Sequence, residues 1–593
     1  MNNLGKLIGI EGNNAFVKLD VNLFNFDNII NLYVYIADKE KKIVGEITDA
    51  KDDVLTISLL GEMNDNRFIF GVAKKPSFKA DIYLVPTNEV KYIIGMSDYT
   101  EKDYLYIGES PVYTDIPMGV NINSFFSNHF AIFGNTGSGK SCGVARVLQN
   151  LFNKKDVVAY RSNIIIFDAY GEYHNAFSNL HSLHKELNFK AYTTDIKSSG
   201  NVLKIPLWLL SVDDIALLLE ADKSSQLPII EKALKLVTIF GRDEQLVIKH
   251  KNDIIARALL DILASGKNPS QIRDQIFSVL THYHTKDISL DAPVHQPGYT
   301  RPLKQCLLID ASGKIRDMEL ITNFIESFTQ ENLELYLPDG SFKYGLKELY
   351  EAMDFALISE GVLKSEKVYN DYNVLKVRLQ SLMTGNYATY FDVNDDFDLT
   401  SYIKWLLTAD NGGKSQIVNF NINYVDDRFA KSVTKIFSRM IFEFSKDLNK
   451  RGSIPFHIIL EEAHRYVQND NDVNVIGYNI FDRITKEGRK YGVMLGLITQ
   501  RPSELSTTAV SQCNNFLSFK LQHPHDVDYI KQMVPNVTSE VVKQIKTLQP
   551  GTCIAFGLGF KIPVQIKLKM PNPEPSSSSV DISNTWFIDC KTV

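Results

Sequence analysis

The sequence predicts an α/β protein with a parallel sheet covered on both faces by helices, preceded by a separate strand-rich segment. Three observations carry this. Short apolar runs rich in β-branched and large residues (FAIF, NIIIFD, HIIL, VMLGLIT, FLSFKL) alternate with stretches of helical spacing, as in strands buried on both faces. One of these runs leads through a glycine-rich turn directly into a helix. The first roughly 90 residues instead alternate or run apolar with Gly, Asn and Asp at close intervals, as in a small barrel or sandwich.

The elements follow in order. Residues 1–95 read as strands (LIGIEGNNAFVKLDV, NLYVYIA, KKIVGEITDAKDDVLTISLLG, ADIYLVP) and form either a packing domain or a partner-binding one. Residues 96–204 open the α/β core with NHFAIFGNTGSGKSCGVARVLQNLF, a strand, turn and helix, and NIIIFDAYGEY, a second strand ending in acidic and glycine residues. Residues 205–395 turn helical: SVDDIALLLEADKSSQLPIIEKALKLVTIF, HKNDIIARALLDILASG and DMELITNFIESFTQENLELYL carry apolar residues at helical spacing. Residues 396–570 return to the core with SYIKWLL, the strand QIVNFNINYVDD and the long amphipathic helix DRFAKSVTKIFSRMIFEFSKDLNK. PFHIILEEAHRYV, YGVMLGLITQRP and NFLSFKL then add three more strands. Residues 571–593, rich in Pro and Ser, read as a flexible arm.

Composition narrows the class. A chain of 593 residues exceeds one hydrophobic core, so two to four domains are expected. With 44% hydrophobic and 23% charged residues, neither a disordered nor a collagen-like chain fits. Sixty-four Lys and Arg against 70 Asp and Glu leave a net charge of −6, which excludes a protein coated in positive charge. Any nucleic-acid contact must then be local, such as the inside of a ring. The cysteines (Cys142, Cys306, Cys513, Cys553, Cys590) form no CxxC pair, against a zinc ribbon or disulfide framework. The N-terminus has no signal-peptide pattern and no window offers 18 uncharged apolar residues, so a cytoplasmic location without a membrane is the expectation.

The strongest motif is Gly134-Asn135-Thr136-Gly137-Ser138-Gly139-Lys140-Ser141, which fits G-x-x-x-x-G-K-[ST] at every fixed position; Cys142 extends the cradle. The glycines let successive N–H groups face phosphate oxygens, and the following helix presents its positive end to the same anion. Lys140 reaches the β- and γ-phosphates and the Ser141 hydroxyl ligates Mg²⁺. A glycine-rich helix cap is the bland alternative. ATP and Mg²⁺ are the expected nucleotide and metal.

Ile458-Ile459-Leu460-Glu461-Glu462-Ala463-His464 carries two carboxylates out of an apolar strand, where α/β sheets place their ligands. Glu461 is the candidate for the metal shell and Glu462 for orienting or deprotonating water. An acidic helix cap is the alternative. Gln500, after LGLIT, is placed to sense the γ-phosphate or to sit in a polar turn. Arg483, Lys486, Arg489 and Lys490 form either a solvated surface or the source of an arginine finger, with Arg489 first choice. Asp168 and Glu172 either extend the acidic network or hold a turn. His464 either couples to the site loop or is structural.

GNTGSGKS, FDAYGEY, LEEAHRY, KEGRKYG and ITQRPSEL, in that order, resemble the HerA family of hexameric ATPases, relatives of the FtsK DNA pumps. The resemblance implies an N-terminal β-barrel, a RecA-like P-loop NTPase core with a helical subdomain, and a homohexameric ring that threads double-stranded DNA using ATP. It places the P-loop on Gly134–Ser141, the second-strand motif on Asp168 to Tyr173, the Walker B pair on Glu461 and Glu462, the trans-acting arginine on Arg489 and the sensor on Gln500. Two departures stand out: Glu461 where the family often has Asp, and Ala169-Tyr170 where it often has Pro-His. The resemblance further implies an effector, either a nuclease or a sirtuin-like NAD hydrolase, docked on the barrel in bacterial anti-phage defence. The alternatives are DNA-end processing with a NurA-like nuclease, a ring whose main duty is to scaffold an effector, and a type IV secretion ATPase. The last is disfavoured by the lack of an N-terminal membrane segment.

Overall fold

The computed structural model describes residues 3–587 except 23–25, 27, 39–40, 66, 97–99, 101, 114–115, 243–244, 331–341, 360–365, 534–538 and 577–581. Two compact units result. One comprises residues 1–195, 405–469 and 480–593; the other comprises 196–404 and 470–479. No helix among the described residues is long and apolar enough to cross a membrane.

The first unit begins with a seven-stranded antiparallel sheet over Gly5–Glu11, Asn14–Leu19, Tyr33–Asp38, Lys41–Lys51, Val54–Asn64, Arg67–Phe70 and Asp81–Leu84. Its first and last strands meet through the Leu4 N–H, which donates to the Ile82 carbonyl at 2.7 Å. Alternation explains the curl: Val17, Ile36, Ile43, Ile47, Leu55 and Ile57 point inward to one apolar cluster. The opposite face of the same strands is not solvent. Tyr33, Tyr35 and Val44 join the core of the α/β sheet that follows.

That placement gives Glu46 an unusual setting. It sits on strand Lys41–Lys51 two residues after Val44, on the face turned to the core, where burial pushes its carboxyl up to about 7. A carboxyl raised on folding favours the folded chain while protonated, so stability falls as pH rises from about 4.5 to about 7. Glu46→Gln is expected to remove this loss, on the order of 2 kcal/mol. Denaturant melts of both chains at pH 5 and pH 8 check it: the gap between the two should open only at the higher pH.

The core sheet has eleven strands. Seven run parallel, in the order Phe189–Thr193, Ile417–Asn421, Ile164–Asp168, Phe456–Leu460, Val493–Thr499, His129–Phe133 and Cys513–Ser518. The α/β fold is as expected, but the sheet is not all parallel. Thr552–Gly557, Val564–Lys567, Tyr104–Glu109 and Pro117–Asn121 continue it as antiparallel strands. Helix Asp427–Lys446 buries most of its length against the sheet, and its Asp426 cap accepts from the Arg428 and Phe429 N–H groups. The second unit is mainly helical, with Leu227–Phe240, Gln245–Leu263, Pro269–His282, Leu346–Ser359 and Glu366–Thr384 as its longest helices. Part of the expected helix DMELITNFIESFTQENLELYL forms as Met318–Glu326; its end, 331–337, lies outside the described residues.

The Pro/Ser-rich arm is corrected in its first part. Residues 571–576 are docked on the helix that follows the P-loop, because buried Gln149 offers both halves of its amide. Its Nε2 donates to the Pro573 carbonyl at 2.8 Å and its Oε1 accepts from the Asn572 N–H at 2.9 Å. The Ser576 N–H donates to the Glu172 carbonyl at 2.8 Å. A composition rich in Pro keeps such a segment extended but does not keep it free.

Candidate nucleotide site

Strand His129–Phe133 is wholly buried and releases the chain at Gly134; helix Lys140–Phe152 takes it up again. Between them Gly137 and Gly139 have φ of 74° and 92°, so both N–H groups turn inward. Gly139 is also held from outside: a Cβ there would lie 2.8 Å from the Gly551 nitrogen, and the Gly551 N–H itself donates to the Ser138 carbonyl. The loop is thus braced by a segment more than 400 residues away in sequence.

The cleft above this loop has a volume of about 460 Å³ and is lined by Asn135, Thr136, Gly137, Gly139, Lys140, Ser141 and Cys142 with Tyr170, Glu172, Glu461, Glu462 and Gln500. It gathers most of the site residues expected from sequence. They meet because strands Ile164–Asp168, Phe456–Leu460, Val493–Thr499 and His129–Phe133 are parallel neighbours, so their C-terminal ends share one edge.

Within the cleft, Lys140 Nζ lies 3.2 Å from Glu462 Oε1, and both side chains are buried. Glu462 holds a left-handed backbone, φ 47° and ψ 47°, costing about 1–2 kcal/mol for a residue with a Cβ. That conformation turns the chain sharply after the strand and aims the carboxylate back at the P-loop. His464 Nδ1 stands 3.3 Å from Glu462 Oε2 and 2.9 Å from Thr499 Oγ1. Burial lowers the His464 pKa, so the ring is neutral at pH 7. Gln500 Oε1 accepts from Thr136 Oγ1 at 2.8 Å, tying the tip of the next strand to the loop.

Asp168 is used otherwise. Its Oδ1 accepts from the Gly171 and Glu172 N–H groups and its Oδ2 from the Tyr173 N–H and Asn419 Nδ2. With four donors it sets the turn that carries Glu172 into the cleft. Glu461 is 1% exposed; burial, then the charges of Asp168 and Glu172, hold its carboxyl well above the ordinary range. Buried oxygens of Glu172, Glu461 and Glu462 have no hydrogen-bond partner. Among the described residues these carboxylates form no ready-made metal cluster, but Glu461 and the Ser141 hydroxyl line one cleft and are oxygen donors of the kind Mg²⁺ takes alongside water and phosphate.

Asp168, Gly134 and Ser138 adjoin residues of the cleft without lining it, whereas Arg489 stands apart from it. Arg489 lies exposed in the last turn of helix Ile480–Tyr491, before strand Val493–Thr499 begins. Gln500 lies beyond the other end, so about 20 Å of strand separates the two. The Arg489 charge instead reaches His129 at the start of the P-loop strand, whose pKa burial and Arg489 together lower to about 4. Sequence reasoning gave no role to Thr499, Asn419 or Gly551. Thr499 alone had a signal, its place at a strand end; the other two act through contacts with no local pattern.

Comparison with known proteins bears on this site. Residues 105–441, more than half of the chain, match the family model for the central domain of helicase HerA. A probable helicase of Methanocaldococcus jannaschii is 23% identical over 93% of this chain and 81% of its own length. The DNA double-strand break repair helicase HerA of Pyrococcus furiosus is 21% identical over 88% and 78%. Among solved structures, VirB4 of Thermoanaerobacter pseudethanolicus aligns with a TM-score of 0.41 at 14% identity, over 80% of this chain and 98% of that one. With its P-loop, its paired glutamates and this match, the chain belongs to the HerA family and is a HerA-type P-loop ATPase.

Proposed function

We propose that this protein is a ring-forming, ATP-driven translocase on double-stranded DNA whose catalytic site is completed between neighbouring copies. One observation carries the reading. The residues lining the cleft include a single cation, Lys140, while Arg489 lies exposed about 20 Å of strand away from it. Phosphoryl transfer spreads negative charge over the γ-phosphate oxygens, and an arginine supplied by a neighbour is a recurrent answer. Arg489 is too far to serve its own cleft and exposed enough to serve another. DNA as the track follows from the HerA relatives, named as DNA repair helicases.

Each residue of the chain then has a duty. The P-loop N–H groups and Lys140 bind the phosphates. As Lys140 turns to them it releases Glu462, which orients the attacking water and takes its proton. Ser141 and Glu461 would hold Mg²⁺, which neutralises charge on the β- and γ-phosphates. Gln500 senses the γ-phosphate through its bond to Thr136. Asp168 positions Glu172 at the rim. The N-terminal sheet, which exposes Ile8, Ile69 and Phe70 with Phe78 on the loop before its last strand, is the docking surface for an effector protein.

ATP hydrolysis per chain, followed across a dilution series with and without double-stranded DNA, tests the proposal. Specific activity should fall at least tenfold on dilution below the assembly range and rise with DNA. A rate indifferent to both would overturn it.

A further inference from the structure

The register of the N-terminal sheet puts three polar side chains in one row on the face that meets the core. Tyr33 pairs with Glu46 across two strands, and Glu46 pairs with Ser58 across the next. Directly opposite residues in antiparallel strands project to the same side. Thr48, two residues on, stands beside them. On a solvated sheet such a row needs no explanation. Here the face is largely covered, and the row lines a partly open cavity of about 150 Å³ whose other walls include Val564 of the core.

Tyr113 completes one side. Its ring stacks on Tyr33 with centroids 5.5 Å apart and planes at 22°, and its hydroxyl accepts the Tyr33 N–H at 2.6 Å. The tyrosines are thereby fixed by backbone and stacking, not by Glu46. Among the described residues, Glu46 makes no hydrogen bond or ion pair, and burial alone accounts for its raised pKa. A half-buried carboxylate with no partner in the cavity wall leaves its charge to be met by whatever enters the cavity.

We infer that this cavity is a binding site for a small organic cation, a guanidinium or ammonium on a short alkyl chain, with Glu46 as its counter-ion and the Tyr33–Tyr113 pair as its aromatic wall. Three features point to this class. The carboxylate selects positive charge. The stacked rings favour a cation at their faces or an alkyl chain along them. The volume matches a benzene-sized group, which a butyl guanidine fills and a nucleotide exceeds. The site is separate from the nucleotide cleft, since no residue lines both. A ligand held there would bridge the N-terminal sheet to the core sheet.

Agmatine titrated calorimetrically into the full-length chain at pH 8 tests the inference, with butylamine as a second probe and 1-pentanol as the neutral control. Both cations should bind saturably at one per chain, and pentanol should not. Glu46→Gln should weaken agmatine at least tenfold and leave ATP hydrolysis unchanged. Thr48→Leu, which narrows the cavity without altering charge, should weaken it as well and serves if the first variant misfolds. No binding of agmatine up to 10 mM, or equal binding by wild type and Glu46→Gln, overturns the proposal; the second result would place the cation elsewhere on this acidic chain.

Discussion

Replacing Glu462 with Gln is expected to lower kcat for ATP by two to four orders of magnitude while nucleotide binding stays at least as tight. The first half follows from losing a general base at the position that faces the P-loop, a contribution typically worth about 10²–10⁴. The second half follows from the pairing of Lys140 with Glu462 at 3.2 Å, with both side chains buried. ATP must break that ion pair to recruit Lys140. A neutral amide competes less for the ammonium group, so binding costs less in the variant. Kinetics together with equilibrium binding of a fluorescent nucleotide separate the two effects. Binding lost along with turnover would show that Glu462 shapes the cleft and does not act on water.

Arg489→Ala is expected to have the larger effect. An arginine acting on the γ-phosphate from a neighbouring copy is worth about 10³–10⁵ in rate. The loss should appear in kcat with little change in nucleotide affinity, because Arg489 lies outside its own cleft. Arg489→Lys should recover little, since a point charge does not reproduce the planar fork of a guanidinium. Assembly should persist if the residue acts only on phosphate, which sedimentation of the variant measures.

The parts of this account legible in the sequence are those fixed by local spacing. The P-loop is a contiguous motif, and its strand and helix flank it directly. Glu461 and Glu462 follow the apolar run Ile458-Ile459-Leu460, so their place at a strand end could be read without a fold. The α/β alternation identified six of the seven parallel strands; the edge strand Phe189–Thr193 was not among them. The sequence was silent where a residue's role depends on a distant partner. Strand Val564–Lys567 is four residues long, too short for a periodic signal, and finds its place by pairing with Thr552–Gly557 on one side and Tyr104–Glu109 on the other. The docking of residues 571–576 needs one buried amide, Gln149, more than 400 positions earlier. Asp168 reads as a catalytic candidate by its strand-end position, yet its oxygens are engaged by the turn and by Asn419. Glu46 is the sharpest case. Alternation marks it as the solvent side of a strand, and only the packing of a second layer leaves it half-buried.

The shared site between copies is tested most directly by mixing two inactive variants, Glu462→Gln and Arg489→Ala, after dissociation and reassembly. Each alone lacks one half of every site. In mixed assemblies, a cleft from the Arg489→Ala chain faces an intact Arg489 from the Glu462→Gln chain at about one interface in four. ATPase activity is therefore expected to reappear on mixing, to a fraction of wild type far above either variant alone. A mixture no more active than its components, with co-assembly verified, would contradict an arginine supplied across the interface.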